Sequence, residues 1–129
     1  MPGQGLQALR DLRSSPFANI QLPYEAPGNY HIYHLYVVET KQPEHRDSLL
    51  GFLTAHGIDA KCHYPIAIHQ QEGYPWGKPA RIVGPVSNSE RNAACCVSLP
   101  MFPELTAEEV DYVIEKVLEW DRAPRKHGD

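Results

Sequence analysis

The sequence predicts an α+β domain in which a small, mostly antiparallel sheet has helices packed on one side. Two observations support this fold class. The predicted order is strand, helix, strand, long loop, helix, strand, helix, so helices separate most of the strands. A chain of 129 residues with 42% apolar residues is suited to bury a single core. The other side of the sheet is then left for a partner.

The N-terminal part is predicted to be a remnant helix and a linker over residues 1–28. Leucines at spacing three place one apolar face on a short helix over 4–13. Three prolines between 14 and 28 exclude a continuing helix and indicate a linker or an extended lead-in. The residues of 31–38 are aromatic and β-branched and predict the clearest strand.

The middle of the chain predicts a helix, a short strand and a long loop. The helix covers 43–56, with Pro43 at its first position and Gly57 as a left-handed stop. A short strand over 58–62 follows. The segment 63–87 is rich in Gly and Pro without repeated pattern, and a loop of this length in a compact domain is typically functional or disordered.

The C-terminal part predicts a helix over 89–96, a strand over 97–99 and a last helix. Thr106 and Glu109 form a capping-box pattern. The last helix has one apolar stripe, which consists of Val110, Val113, Ile114, Val117 and Leu118. The predicted domain covers 29–121, and 122–129 are a polar tail.

Charge and composition exclude several classes of function. A net charge of -4 does not favour nucleic acid, whose phosphates require a basic surface. No apolar run reaches the roughly 20 residues of a membrane span, and the N-terminus lacks a signal-peptide pattern. The three cysteines are an odd number, and Cys95 and Cys96 are predicted to be small buried side chains at a helix-to-strand junction. These observations predict a cytoplasmic protein in a reducing compartment.

The residues by themselves identify no catalytic set. Seven histidines raise the possibility of a metal site at Cys62, His63 and His69, but the spacing matches neither a helical pair nor a zinc finger, and we predict no metal. Ser98 lacks the setting of a nucleophile, and the glycines do not form a phosphate-binding loop. The sequence therefore predicts no catalytic and no cofactor-binding residue in this chain.

The chain contains the segment His63-Tyr64-Pro65-Ile66-Ala67-Ile68-His69 and, after it, the segment 98–105. In this order the segments resemble the C-terminal domain of the DegT/DnrJ/StrS family of pyridoxal-phosphate (PLP)-dependent sugar aminotransferases. The first is similar to the family's His-Tyr-Pro-x-Pro-x-His segment, with Ala67 in place of the second proline. The segment 98–105 is close to the family's next signature, and Glu90 lies eight residues before Ser98 as in the family. The strand over 33–38 and the helix residues 46–50 also fit, and Ser87 replaces a usual proline.

The resemblance implies the small C-terminal domain of a fold-type-I aminotransferase that transfers an amino group to a nucleotide-linked keto sugar, in polysaccharide, lipopolysaccharide or antibiotic-sugar biosynthesis. The family's Schiff-base lysine and the acidic partner of the pyridine nitrogen belong to a preceding large domain. No lysine here has a context like that lysine: Lys41, Lys61, Lys78, Lys116 and Lys126. PLP is therefore implied by resemblance only, and we expect the chain to be inactive alone.

By the same resemblance, His63, Tyr64 and His69 are expected to bind the nucleotide-linked sugar, because imidazole and phenol groups suit its hydroxyl and diphosphate groups. The alternative is structural: Tyr64-Pro65 forms a rigid turn and His63 bonds a backbone carbonyl. The expected partner is a large-domain polypeptide or a second copy in a homodimer. A non-catalytic binding or oligomerisation module that keeps the sugar-nucleotide loop is the alternative function.

Overall fold

The computed structural model describes residues 17–73, 75 and 81–124 of the chain. Within these ranges it contains three antiparallel strands and three α-helices, which confirms the α+β prediction. The elements in chain order are β1 Ile20–Gln21, β2 Tyr36–Thr40, α1 Glu44–Ala55, the 3-10 turn Ile68–Gln70, α2 Ser87–Cys95, β3 Cys96–Leu99 and α3 Ala107–Arg122. The helix predicted over 4–13 lies outside the described residues.

The sheet has the order β1-β2-β3, with β2 in the centre. Tyr36 is opposite Leu99 and Glu39 is opposite Cys96 in the register between β2 and β3. Tyr36, Val38 and Thr40 are fully buried, whereas the two residues between them are partly exposed. Because side chains alternate along a strand, one face of β2 is turned to the core and the other remains accessible.

The core lies between the buried face of the sheet and the helices α1 and α3. Leu49 and Leu53 of α1 pack in one cluster with the Val110, Val113 and Val117 stripe of α3. Trp120 of α3 is also buried, and its indole Nε1 donates a hydrogen bond to Ser48 Oγ at 3.1 Å. A buried indole requires such a partner for its N–H group. The two helices are thereby held to each other as well as to the sheet.

The predicted boundaries of the helices are close to the observed ones. Helix α1 begins one residue after Pro43, and Gly57 has a φ of 77°, which is the left-handed stop that was expected. The capping box of α3 is formed: Thr106 Oγ1 accepts from the Glu109 N–H at 3.1 Å, and Glu109 Oε1 accepts from the Thr106 N–H at 3.2 Å. Helix α2 begins at Ser87, two residues earlier than predicted.

The prediction of a strand over 31–38 is wrong in its boundaries, since β2 begins at Tyr36. Tyr33 has a φ of 49°, a left-handed conformation that interrupts an extended chain. Its backbone N–H donates to His31 Nδ1 at 2.9 Å, and the two rings stack with centroids 4.1 Å apart. The chain therefore turns at Tyr33, and the strand begins only at Tyr36.

The residues around β1, which lie in the region predicted as a linker or extended lead-in, pack against the rest of the domain. Ile20 pairs with Thr40, and the side chains of Phe17 and Ile20 are buried in the core cluster. The Asp121 carboxylate accepts hydrogen bonds from the backbone N–H groups of Ala18 and Asn19 at 2.9 and 2.8 Å. This segment is thus a fixed part of the domain.

The predicted strand over 58–62 is reduced to one bridge, in which Lys61 pairs with Ser98. The Ile58 N–H donates to Leu53 O at 2.9 Å, and the Ala60 N–H donates to Ile58 O at 3.0 Å. Because these donors bond locally, they do not extend the sheet. The predicted polar tail begins within α3, which ends at Arg122. In the described ranges, no helix has the length and apolar content that crossing a bilayer needs.

Candidate functional site

The loop that contains His63, Tyr64 and His69 begins at the edge of β3. The Lys61 N–H donates to Ser98 O at 3.1 Å, and the Ser98 N–H donates to Lys61 O at 2.6 Å. This pair of backbone bonds fixes the chain two residues before His63. The start of the loop is therefore set by the sheet, although its sequence has no regular pattern.

His63 is held by the Ser98 side chain. Its Nδ1 lies 2.9 Å from Ser98 Oγ, and the serine is 4% exposed. The structural alternative expected a backbone carbonyl as the partner, and the structure shows a hydroxyl. A hydroxyl can donate or accept, so this partner leaves both neutral tautomers of His63 open.

Tyr64 lies beside His63 and is turned to solvent. The two rings are in an edge-to-face arrangement with centroids 5.4 Å apart. Tyr64 is 71% exposed, and so is accessible to a ligand. The packing against a fixed imidazole orients the phenol without burying it.

His69 is connected to helix α2 by Glu90. The distance between His69 Nε2 and Glu90 Oε1 is 2.9 Å, and the histidine side chain is only 12% exposed. The 3-10 turn around His69 is closed by Gln70, whose Oε1 accepts from the Ala67 N–H at 3.1 Å. The loop is thus fastened at one end to β3 and at the other to α2.

The three predicted residues line one open cleft between this loop and α2, with a volume of about 540 Å³. Its other polar lining includes Glu39 and Asn92, whose side chains hydrogen-bond to each other at 2.8 Å. Imidazole, phenol, amide and carboxylate groups offer donors and acceptors that suit a ligand rich in hydroxyl groups. Among the described residues that line the cleft there is no lysine or arginine.

A second cavity of about 570 Å³ lies at the start of α3 and is lined by Gly57, Pro100, Phe102 and Tyr112, among others. The Tyr112 hydroxyl donates to His56 O at 2.8 Å. This hydrogen bond links α3 to the residue that follows α1. None of the three predicted site residues lines it. The cleft beside α2 is therefore the candidate site.

The metal alternative at Cys62, His63 and His69 gains no support from the geometry. Cys62 accepts from Arg46 Nη1 at 3.0 Å, while the two imidazoles face Ser98 and Glu90. No cluster of three or more metal-ligating side chains occurs in the part of the chain that the structure describes. The three side chains are engaged with three different partners.

The cysteines occupy two different environments next to the site. Cys95 and Cys96 are both buried, at the end of α2 and the start of β3, as the sequence predicted. Burial, together with a hydrogen bond to Cys62, raises the pKa of the Cys96 thiol to about 12. Cys62 is only partly buried. Cys96 is therefore a neutral thiol over the physiological pH range.

The sequence did not identify the side chains that position the loop. Nothing in the sequence indicates that Ser98, Glu90 and Arg46 hold residues of this loop. Their bonds to His63, His69 and Cys62 span 35, 21 and 16 residues along the chain. The spacing of Glu90 from Ser98 was the one feature that pointed to this region.

The chain is similar to known proteins over most of its length. The family model described as the DegT/DnrJ/EryC1/StrS aminotransferase family matches residues 6–118. A pleiotropic regulatory protein of Geobacillus stearothermophilus is 36% identical over 105 residues, which cover 78% of this chain and 26% of that protein. A dTDP-3-amino-3,4,6-trideoxy-alpha-D-glucose transaminase of Streptomyces venezuelae is 37% identical over 101 residues, with 78% and 25% covered.

Solved structures show the same fold. The crystal structure of S. venezuelae DesV in complex with a ketimine intermediate matches with a TM-score of 0.81 and 31% identity, over 96% of this chain and 33% of that chain. The chain therefore spans about a quarter of the length of the curated relatives it matches.

Proposed function

Since the chain belongs to the DegT/DnrJ/EryC1/StrS aminotransferase family, we propose that it is the small domain of a PLP-dependent enzyme that transfers an amino group to a nucleotide-linked keto sugar. The names of the relatives support this reaction class, since they include dTDP-amino-sugar transaminases. The observation in this chain that carries the proposal is the cleft in which His63, Tyr64 and His69 meet. We propose that this cleft binds the sugar nucleotide.

Each of the three residues has a separate part in this proposal. Ser98 hydrogen-bonds to Nδ1 of His63, and Glu90 hydrogen-bonds to Nε2 of His69. Nε2 of His63 and Nδ1 of His69 are then the ring nitrogens available to a sugar hydroxyl. The exposed phenol of Tyr64 can donate to a hydroxyl or a phosphate oxygen. Because both imidazoles are oriented before binding, little side-chain freedom has to be lost when the ligand binds.

The cleft does not fit PLP itself. PLP supplies an electron sink for the carbanion chemistry of transamination, and the protein must anchor it covalently through a lysine. The described lining of the cleft contains no lysine, and Lys61, the nearest in sequence, is exposed with its Nζ 3.5 Å from an Asp59 carboxylate oxygen. We therefore assign the cofactor site to the large domain and the sugar-facing surface to this one.

We also propose that two apolar residues of the loop, Ile66 and Ile68, contact the large-domain polypeptide at the rim of the cleft. Both side chains are exposed, Ile68 at 76%. A run of exposed apolar side chains next to a polar cleft is typical of a surface that another body covers. Light scattering of the chain with and without a lysine-bearing large domain tests this partner; a homodimer of the chain alone that Ile68→Ser dissolves would refute it.

The binding proposal is tested by titrating the chain with dTDP-glucose and, separately, with dTDP, followed by amide NMR spectra and calorimetry. We expect dTDP-glucose to shift the signals of 63–69 and of α2. His63→Gln should weaken its affinity about fivefold, the effect of about 1 kcal/mol for one hydrogen bond. His34→Gln is the matched control, since His34 is exposed and does not line the cleft. Equal weakening by both variants, or shifts confined to other regions, would refute the assignment.

A further inference from the structure

Two cysteine sulfurs meet beneath the loop. Cys62 Sγ and Cys96 Sγ are 3.5 Å apart and share a hydrogen bond. The backbone holds them there, because Lys61, directly before Cys62, is bonded in both directions to Ser98, two residues after Cys96. A disulfide requires a sulfur separation of about 2.05 Å, so a shift of about 1.5 Å would join them.

The two sulfurs differ in access and in chemical state. Cys96 is fully buried and its raised pKa keeps it a thiol, whereas Cys62 is partly exposed. Arg46 Nη1 donates to Cys62 Sγ at 3.0 Å and is itself held by Ala93 O at 2.8 Å. This contact fixes the position of the Cys62 sulfur, and the partial exposure of Cys62 lets an oxidant reach it. Cys62 is therefore the sulfur that an oxidant reaches first, and Cys96 is the buried sulfur beside it.

We propose that Cys62 and Cys96 form a site of reversible oxidation, at which a hydroperoxide reacts with Cys62 and Cys96 then closes an intramolecular disulfide. Nothing in this inference depends on sugar binding. Cys95 takes no part, because it ends helix α2 one residue before the strand on which Cys96 faces Cys62.

The reaction is balanced with hydrogen peroxide as the oxidant. The Cys62 sulfur attacks one peroxide oxygen, the O–O bond breaks, and the departing hydroxide takes the thiol proton to form water. This leaves a sulfenic acid on Cys62. The Cys96 sulfur attacks the Cys62 sulfur, the S–O bond breaks, and the hydroxide leaves with the Cys96 proton as a second water. Two thiols are oxidised to one disulfide, and a dithiol such as dithiothreitol restores them by exchange.

Oxidation would act on the candidate site through the backbone. Cys62 is followed directly by His63, and the Cys96 thiol lies 3.9 Å from Tyr64 O, to which it donates a weak hydrogen bond. The disulfide removes this donor and ties the start of the loop to β3 by a covalent bond. The state of the loop would then depend on the redox state of the pair.

The test treats the reduced chain with graded hydrogen peroxide, blocks the remaining thiols under denaturing conditions and maps the peptides by mass spectrometry. We expect a loss of about 2 Da, the mass of two hydrogens, and one crosslinked peptide that contains Cys62 and Cys96, reversed by dithiothreitol. Cys95→Ser is the matched control and should form the same crosslink. Cys62→Ser and Cys96→Ser should lose it.

The wild-type peptide map decides the question even if a variant fails to fold. A crosslink through Cys95, a disulfide between two chains, or a sulfinic acid on Cys62 without any crosslink would each overturn the proposal. The sugar titration is unaffected by these outcomes, so failure of this inference is distinguishable from failure of the proposed function.

Discussion

The bond between Asp121 and the N-terminal segment allows a quantitative prediction. Asp121 is 5% exposed, and its two carboxylate oxygens accept from the backbone N–H groups of Ala18 and Asn19 at 2.9 and 2.8 Å. The substitution Asp121→Asn keeps the shape of the side chain. It replaces one acceptor oxygen with an NH2 group, which then faces a backbone N–H donor.

The size of the effect follows from these contacts. A hydrogen bond to a charged group contributes about 1.5–3 kcal/mol. Asp121→Asn removes one such bond and weakens the other by removing the charge, while water can reach the released N–H because both bonds are only partly buried. We expect the free energy of unfolding to fall by about 1.5–3 kcal/mol, a large share of the roughly 5–15 kcal/mol of a typical domain.

The assay is urea unfolding followed by circular dichroism, with hydrogen exchange of the amides of Ala18, Asn19 and Gln21. The matched control is Asp111→Asn, an exposed carboxylate on the same helix. We expect the Asp121 variant to lose stability and the protection of the Ala18 and Asn19 amides, while the control changes the stability by less than about 0.5 kcal/mol. Equal stability of the two variants would refute the role given to Asp121.

Three further predictions concern other contacts. Glu90→Gln should cost about 0.5–1 kcal/mol by replacing the carboxylate that hydrogen-bonds to His69, since this contact is partly exposed; urea unfolding measures it, and unchanged stability would contradict the role given to Glu90. Thr106→Ala should cost about 1 kcal/mol by removing the N-cap of α3, measured by the same method; unchanged stability would show that the cap contributes nothing. Burial raises the pKa of Cys96 from 9.0 to about 12, so the folded state binds the thiol proton more tightly than the unfolded state does. The stability that this proton contributes is complete below pH 9 and is lost as the pH rises from 9 to about 12. Unfolding of wild type and Cys96→Ala across this range measures it, and parallel pH curves for the two proteins would contradict the shift.

Some elements could be predicted because their causes are local. The capping box of Thr106 and Glu109 lies within one helical turn, and the apolar stripe from Val110 to Val117 follows the helical period. The stop at Gly57 also depends on one residue only. In each case the residues that determine the structure are neighbours in the sequence.

Other elements could not be predicted because distant residues decide them. Strand β1 is two residues long, and it is held by β2 and by Asp121, which is 103 positions from Ala18. Tyr33 belongs by composition to a strand, yet its turn with His31 takes it out of the extended conformation. The division of the chain at residues 28 and 121 stays a prediction, although β1 shows that contacts cross its first boundary.

By itself, the sequence determined the family, the α+β class and the long helices, and it predicted the three loop residues of the candidate site. These follow from ordered motifs and from periodicity, which act over short distances along the chain. Only the tertiary structure decided which side chains hydrogen-bond to each other: His63 to Ser98, His69 to Glu90 and Cys62 to Cys96. Such pairs depend on how β3 and α2 pack beside the loop, because the free energy that joins them comes from contacts between segments that are far apart in sequence.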